Sequence, residues 1–222
     1  MATLLLRLAG PMQSWGTTSR FDERDTQREP SKSGVIGLLC AAFGRDRAEP
    51  VDDLAALRMG VRVDREGVLM CDYMTATGVI NAAGKADENR TVVSHRYFLS
   101  DAVFLVGFEG DPALLTQIHA ALKRPVWPLS LGRKSYVPSA PVFLDHGVRE
   151  EGLEEAFLSC FCLVTGKAIQ GSRRMVLEHT SEGSIRLDQP VGPYSARMFG
   201  PRFVNNQQLT VGAKHVSDTS ST

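Results

Sequence analysis

Four short segments carry residue types suited to holding an anionic ligand. Ser31, Lys32, Ser33 and Gly34 stand immediately before the apolar run Val35 to Phe43. A helix starting there would offer free backbone N–H groups and a positive dipole end, with Lys32 adding a cation. The segment is not a Walker A loop, which requires G-x-x-x-x-G-K-[ST], and an ordinary capped helix accounts for the same residues. The second segment is Gly132, Arg133, Lys134 and Ser135. Between Pro112 and Leu144 no acidic residue occurs, while Lys123, Arg124, Arg133 and Lys134 are all basic. That local excess suits an anionic ligand, although a solvated turn would also carry these residues. The third segment, 74–97, interleaves Lys85, Arg90, His95, Arg96 and Tyr97. Cations for phosphates and rings for splayed bases suit single-stranded RNA; a surface hairpin of mixed charge is the alternative. The fourth, Gln13, Ser14, Trp15 and Gly16, follows a Gly-Pro turn and offers polar groups beside a large ring.

Signals for catalysis are weaker. His95, His119, His146, His179 and His215 are scattered, and neither G-x-S-x-G nor H-E-x-x-H occurs. A metal-free ribonuclease could use His95 with Tyr97 or Lys85 as general base and acid. Cys40, Cys71, Cys160 and Cys162 lack C-x-x-C spacing. They are expected to be buried apolar thiols in a reducing cytoplasm, with no metal site and no cofactor. The chain has 222 residues, with 25 basic and 25 acidic side chains. Neutrality argues against a protein wrapped in nucleic acid on every face, but not against one basic groove. At 43% hydrophobic the chain can bury a core. No apolar run approaches the length of a membrane span, and Arg7 and Gly10-Pro11 interrupt any leader-like start.

The elements that must position these residues can be read in outline. Thr3 to Ala9 reads as a buried strand and Val35 to Phe43 as a buried helix. Val61 to Asp64 reads as a strand that turns at 65–67 into Val68 to Cys71. Ala102 to Phe108 reads as another strand. Pro112 opens a helix with Leu114, Leu115, Ile118, Ala121 and Leu122 at helical spacing, and a strand near Val142 to Leu144 would complete a β-α-β-β-α-β unit. Residues 74–97 form a long insertion of little periodicity. Ala156 to Val164 reads as a strand after a solvated acidic linker containing Glu150, Glu151, Glu154 and Glu155. The end, 217–222, is expected to fray.

Three segments together resemble the CasD family of CRISPR-associated proteins. They are Leu6 to Gly16 (L-R-L-A-G-P-M-Q-S-W-G), Arg28 to Leu39 (R-E-P-S-K-S-G-V-I-G-L-L) and Leu131 to Ser135 (L-G-R-K-S). The resemblance covers the N-terminal two-thirds in order; the last 70 or so residues match loosely, around Gln189-Pro190 and Arg197 to Phe203. It implies an α+β fold: a ferredoxin-like (RRM-like) RAMP domain over 1–149, a β-hairpin thumb inserted at about 74–97, and a smaller β-rich C-terminal part over 150–222. The implied function is non-catalytic: binding the 5′ handle of the guide RNA (crRNA) in the cytoplasmic type I-E Cascade complex. The implied partners are the CasC backbone, whose filament the subunit caps, the large subunit CasA, and CasB and CasE in the same complex. Target DNA would be met only indirectly, and no membrane is involved. Carried onto this sequence, Gln13, Ser14, Trp15, Gly16, Lys32, Ser33, Gly34, Arg133, Lys134 and Ser135 would line the handle site. Arg90, His95, Arg96 and Tyr97 would lie on the thumb, with Arg197 contributing from the C-terminal part. Type I-C relatives also cleave the precursor, so a metal-independent endoribonuclease is the alternative.

Overall fold

The computed structural model describes residues 1–19, 22–80 and 83–211; the segment expected to fray lies outside the described residues. In chain order the elements are β1 (Ala2–Ala9), β2 (Met12–Gln13), β3 (Glu23–Arg24), α1 (Lys32–Phe43), α2 (Asp52–Ala55), β4 (Arg58–Arg65), β5 (Val68–Ile80), β6 (Ala86–Ser100), β7 (Val103–Gly110), α3 (Pro112–Lys123), β8 (Phe143–Arg149), α4 (Leu153–Ser159), β9 (Gly171–His179), β10 (Ser184–Pro190) and β11 (Phe199–Val211). Among the described residues no helix is long and apolar enough to cross a membrane.

Among the described residues seven strands form one sheet in the order β10-β11-β9-β4-β7-β1-β8, with every neighbouring pair antiparallel. Alternation along β1 explains its place between β7 and the edge strand β8. Leu4, Leu6 and Leu8 enter the cluster shared with α1 and α3, while Leu5 enters a second cluster with Phe157 of α4. Both faces of the sheet are therefore covered there, which a run of leucines tolerates and an amphipathic strand would not. Helix α1 is apolar on most sides because it lies against both α3 and β10. Helix α3 begins where Asp111 accepts a hydrogen bond from the Leu114 amide at 3.0 Å, with Pro112 in its first turn.

A second sheet is built on β5 and β6, a long antiparallel hairpin running from Val68 to Ser100 that contains the expected insertion. Strand β2 pairs antiparallel with β6 near its end, and β3 pairs parallel with β6 at Glu23↔His95 and Arg24↔Arg96. The turn at 65–67 after β4 leads into β5 and carries the chain from the first sheet into the second.

The region 150–164 departs from expectation. Leu153 to Ser159 is a helix, not a strand; of the four acidic residues read as a linker, Glu154 and Glu155 lie inside it, while Glu150 and Glu151 precede it. Leu153, Ala156, Phe157 and Cys160 are all buried at 3-1-3 spacing, a helical face that is easily read as a plain apolar run. Glu154 and Glu155 sit in its first turn, where the dipole favours them. Arg62 of β4, fully buried, closes the other end. Its guanidinium pairs twice with Asp64 (2.7 and 2.9 Å). It also donates to the carbonyls of Phe157, Cys160 (2.9 Å) and Phe161 (2.8 Å). Three of the four thiols are buried as expected, but Cys71 is exposed on β5.

Candidate nucleic-acid interface

The Gly10-Pro11 turn after β1 carries Gln13, Ser14 and Trp15 into the body of the protein. Gln13 is fully buried. Its amide donates to the carbonyls of Leu8 (3.2 Å) and Ala102 (2.8 Å), and its carbonyl oxygen accepts the Trp15 indole N–H at 3.2 Å. Trp15 is 1% exposed, and a Cβ on Gly34 would lie 2.9 Å from its ring. Gln13 is thus a support for Trp15, and Gly34 is the residue that lets α1 close against the indole.

Ser14 joins three segments. Its amide donates to the Leu131 carbonyl at 3.0 Å and its hydroxyl to the Tyr97 carbonyl at 3.1 Å. Gly132 has φ +94, and a Cβ built on it would stand 1.7 Å from the Ser14 carbonyl oxygen. The loop 131–136 can approach Ser14 only with glycine there. Arg133 then spans the junction, donating to the Tyr136 hydroxyl (2.7 Å) and the Tyr97 carbonyl (3.1 Å) and stacking 5.4 Å from the Tyr136 ring.

These contacts enclose an open cleft of about 220 Å³ lined by Ser14, Trp15, Gly16, Ser19, Arg24, Asp25, Ser31, Gly34, Gly132 and Arg133. Three of the four segments singled out in the sequence meet here. The wall the sequence did not single out is Arg24-Asp25. Asp25 accepts hydrogen bonds from the amides of Thr17 (3.1 Å) and Thr18 (3.2 Å) and from the hydroxyls of Thr18 and Ser19. Burial pushes its carboxyl up, but the Ser19 hydroxyl and the two amides outweigh that and hold it below its ordinary value. The loop is therefore locked at neutral pH, and its stabilisation is lost only as pH falls through that lowered value. Asp25→Ala is expected to free the 17–19 loop at pH 7, seen as faster amide hydrogen exchange over 17–19 with the core unchanged; unaltered exchange would contradict the role given to Asp25.

Lys32 is placed differently from its sequence expectation. Its side chain is buried and its ammonium contacts both oxygens of Glu178 at 2.9 and 3.0 Å, while its backbone N–H donates to Asp188 at 2.8 Å. Burial lowers the Lys32 pKa and Glu178 opposes that shift. Carboxylates of β9 and β10 thus occupy the helix start and the cation that were assigned to a phosphate. Ser33 is half-buried, and its carbonyl accepts the Tyr194 hydroxyl.

The hairpin residues separate by face. Pairing and alternation put Arg96 with Asp72, Phe98 and Arg24 on one side, and His95 and Tyr97 with Cys71 and Tyr73 on the other. Phe98 packs against Tyr136, so the Arg96 side is the one that meets the loop carrying Arg133. His95 instead meets the Tyr73 ring edge-on at 5.6 Å. Lys134 and Ser135 are exposed beside the cleft, and Arg90 is exposed further out on β6. Arg197 sits at left-handed φ in an exposed turn that does not line the cleft.

The comparisons with known proteins agree with one another. A sequence model of the family described as CRISPR-associated protein (Cas_Cas5) matches residues 3–205. The CRISPR system Cascade subunit CasD of Escherichia coli (strain K12) is 33% identical over 155 residues, covering 64% of this chain and 69% of that protein. A solved structure described as a Cas protein is 52% identical, with TM-score 0.76 over 94% of this chain and 95% of its own. A chain of a CRISPR RNA-guided surveillance complex is 34% identical, with TM-score 0.79 over 94% of this chain and 90% of its own.

Proposed function

This chain belongs to the Cas5 family of CRISPR-associated proteins, as a member of its CasD group, and we propose that it works as a non-catalytic Cascade subunit holding the 5′ handle of the guide RNA. The observation that supports this most is the meeting of Ser14–Gly16, Ser31–Gly34 and Gly132–Arg133 around one cleft, with Arg24 on its wall. Arg96, paired with Arg24 across β6 and β3, and the exposed Lys134 next to Arg133 add cations beside the cleft. Single-stranded RNA presents both phosphates and base edges to such a site. The partners follow from the same reading: CasC at the end of its backbone, CasA beside it, and CasB and CasE elsewhere in a cytoplasmic assembly.

We read the unit β1-α1-β4-β7-α3-β8, with its strand order β4-β7-β1-β8, as the ferredoxin-like RAMP domain of residues 1–149. The hairpin β5–β6 is the thumb, and residues 150–222 are the β-rich C-terminal part. Within the cleft, Ser14, Gly16, Gly34 and Gly132 shape the surface, Trp15 backs it, and Arg24, Arg133, Lys134 and Ser135 face the RNA. Gln13 and Lys32 act from behind it. His95 and Tyr97 offer rings on the opposite side of the thumb, with Arg90 near its outer part. Arg197 is assigned to a neighbouring surface.

The test is binding and cleavage with one RNA. Full-length protein is incubated, without metal, with a precursor RNA carrying an intact or a scrambled handle. Preference for the intact handle with no cleavage is the expected result. Specific cleavage at the handle's 5′ end, lost in His95→Ala, would replace this reading with the endoribonuclease. Equal binding to both RNAs would reduce the protein to a general RNA binder. Lys134→Ala, at an exposed cation, is expected to weaken binding and reduce the slope of log K against log salt by about 0.7, the value of one phosphate contact on a single strand; an unchanged slope would remove Lys134 from the contact surface.

A further inference from the structure

We infer that Arg186, on a strand of the C-terminal part far from the cleft in sequence, is a positioning residue for the RNA site. Its guanidinium donates to the Gln27 side-chain oxygen at 2.8 Å and to Glu29 at 2.6 Å. Gln27 in turn touches the cleft wall twice. Its backbone N–H donates to the Trp15 carbonyl at 3.1 Å, and its side-chain amide donates to the Thr17 hydroxyl at 2.9 Å. One side chain of β10 therefore stands two hydrogen bonds from both ends of the Trp15–Thr17 segment.

The arrangement orients Gln27 without ambiguity. A primary amide can present either its oxygen or its nitrogen to a neighbour, and only the oxygen can accept from a guanidinium. Arg186 thus fixes the amide so that its nitrogen faces Thr17. The arginine is itself held. Glu29, 7% exposed, receives Arg186 on one oxygen and Arg174 of β9 on the other at 3.0 Å, and Arg174 is braced by Glu66 at 2.8 Å. Planar, multiply bonded guanidinium groups suit this bracing better than a lysine ammonium would. With both terminal nitrogens held by Gln27 and Glu29, the inferred action of Arg186 on the RNA site runs through Gln27 and not through a phosphate. This assigns a task to the C-terminal strands: they hold the 27–31 strap, and through it one wall of the cleft.

The inference rests on the cleft being the handle site, and the experiment separates the two. Binding of a synthetic single-stranded RNA carrying the handle is measured for the full chain across a salt series, alongside melting temperature. Arg186→Met is expected to weaken binding about tenfold, the scale of one charge-assisted hydrogen bond, with the salt slope unchanged. Gln27→Ala should give a similar loss, and the double variant should lose no more than either alone. Arg186→Lys should recover part of the affinity. The Gln27→Ala arm also covers the case in which Arg186→Met fails to fold. A slope reduced by about 0.7 in Arg186→Met would mean that Arg186 touches a phosphate, and additive losses would mean that it acts apart from Gln27; either overturns the inference. So would unchanged affinity in Arg186→Met while Lys134→Ala still weakens binding, an outcome that leaves the cleft assignment standing. Indifference of the unaltered protein to the handle would overturn the cleft reading and this inference together.

Discussion

Gly132→Ala is expected to weaken guide-RNA retention by on the order of 10- to 100-fold while leaving the sheet and helices folded. The added methyl would fall 1.7 Å from the Ser14 carbonyl oxygen, and the backbone there has φ +94. No side chain can move aside, because the obstacle is main chain. The loop 131–136 must swing out, breaking the Ser14 N–H to Leu131 bond and drawing Arg133 from the Tyr97 carbonyl. Backbone strain of about 1–3 kcal/mol and two hydrogen bonds at about 1 kcal/mol each favour that opening. If half of this appears in binding, the loss is on the order of 10- to 100-fold. Leu131 and Tyr136 at the ends of this loop are buried in the main apolar cluster, so thermal melting should fall as well, and retention is compared below the variant's own melting range. RNA retention and melting measured on the same preparation check this. Normal retention in a folded Gly132→Ala protein would show that the loop does not shape the site.

The largest effect on stability is expected at Arg62. Arg62→Met keeps the stem volume but leaves Asp64 buried with, among the described residues, only the Leu163 amide at 2.6 Å as a partner, and strips three carbonyls at the end of α4 of their Arg62 donor. Breaking a buried pair from one side costs about 3–5 kcal/mol, a large part of a typical domain's stability of about 5–15 kcal/mol. The double variant Arg62→Met with Asp64→Leu should recover much of the loss, since no uncompensated charge remains. Urea midpoints for the two variants test this. A single variant within about 1 kcal/mol of the unaltered protein would contradict the argument, because the pair would then be solvated or dispensable.

The sequence conveyed most where one local pattern decided the outcome. The leucines of β1, the buried run of α1 and the Pro112 start of α3 each lie in the element their period or cap indicated. The three segments that meet at the cleft are visible as residue types, because glycine, a Gly-Pro turn and paired cations carry local meaning. Long-range pairing was not visible. Lys32 read as a free cation because nothing near it in sequence shows that Glu178 and Asp188 arrive from β9 and β10. Gln13 read as a ligand group because its buried partners, Leu8 and Ala102, are carbonyls that any residue could offer. Arg24 and Asp25 went unselected inside a polar stretch, and only the parallel pairing of β3 with β6 reveals their position. Helix α4 was misread because nine residues rich in Leu, Phe and Cys satisfy a strand pattern as well as a helical one. The buried guanidinium of Arg62, which receives the helix end, lies about 95 residues away.

The most direct test of the account is purification of the tagged chain from cells that also express the neighbouring Cascade genes and a CRISPR array, followed by sequencing of the RNA it retains. The account predicts a multi-subunit complex carrying guides that share one 5′ handle, with both complex and guide depleted in the Gly132→Ala variant. Recovery of the unaltered chain alone, or with RNA lacking a common 5′ end, would contradict it.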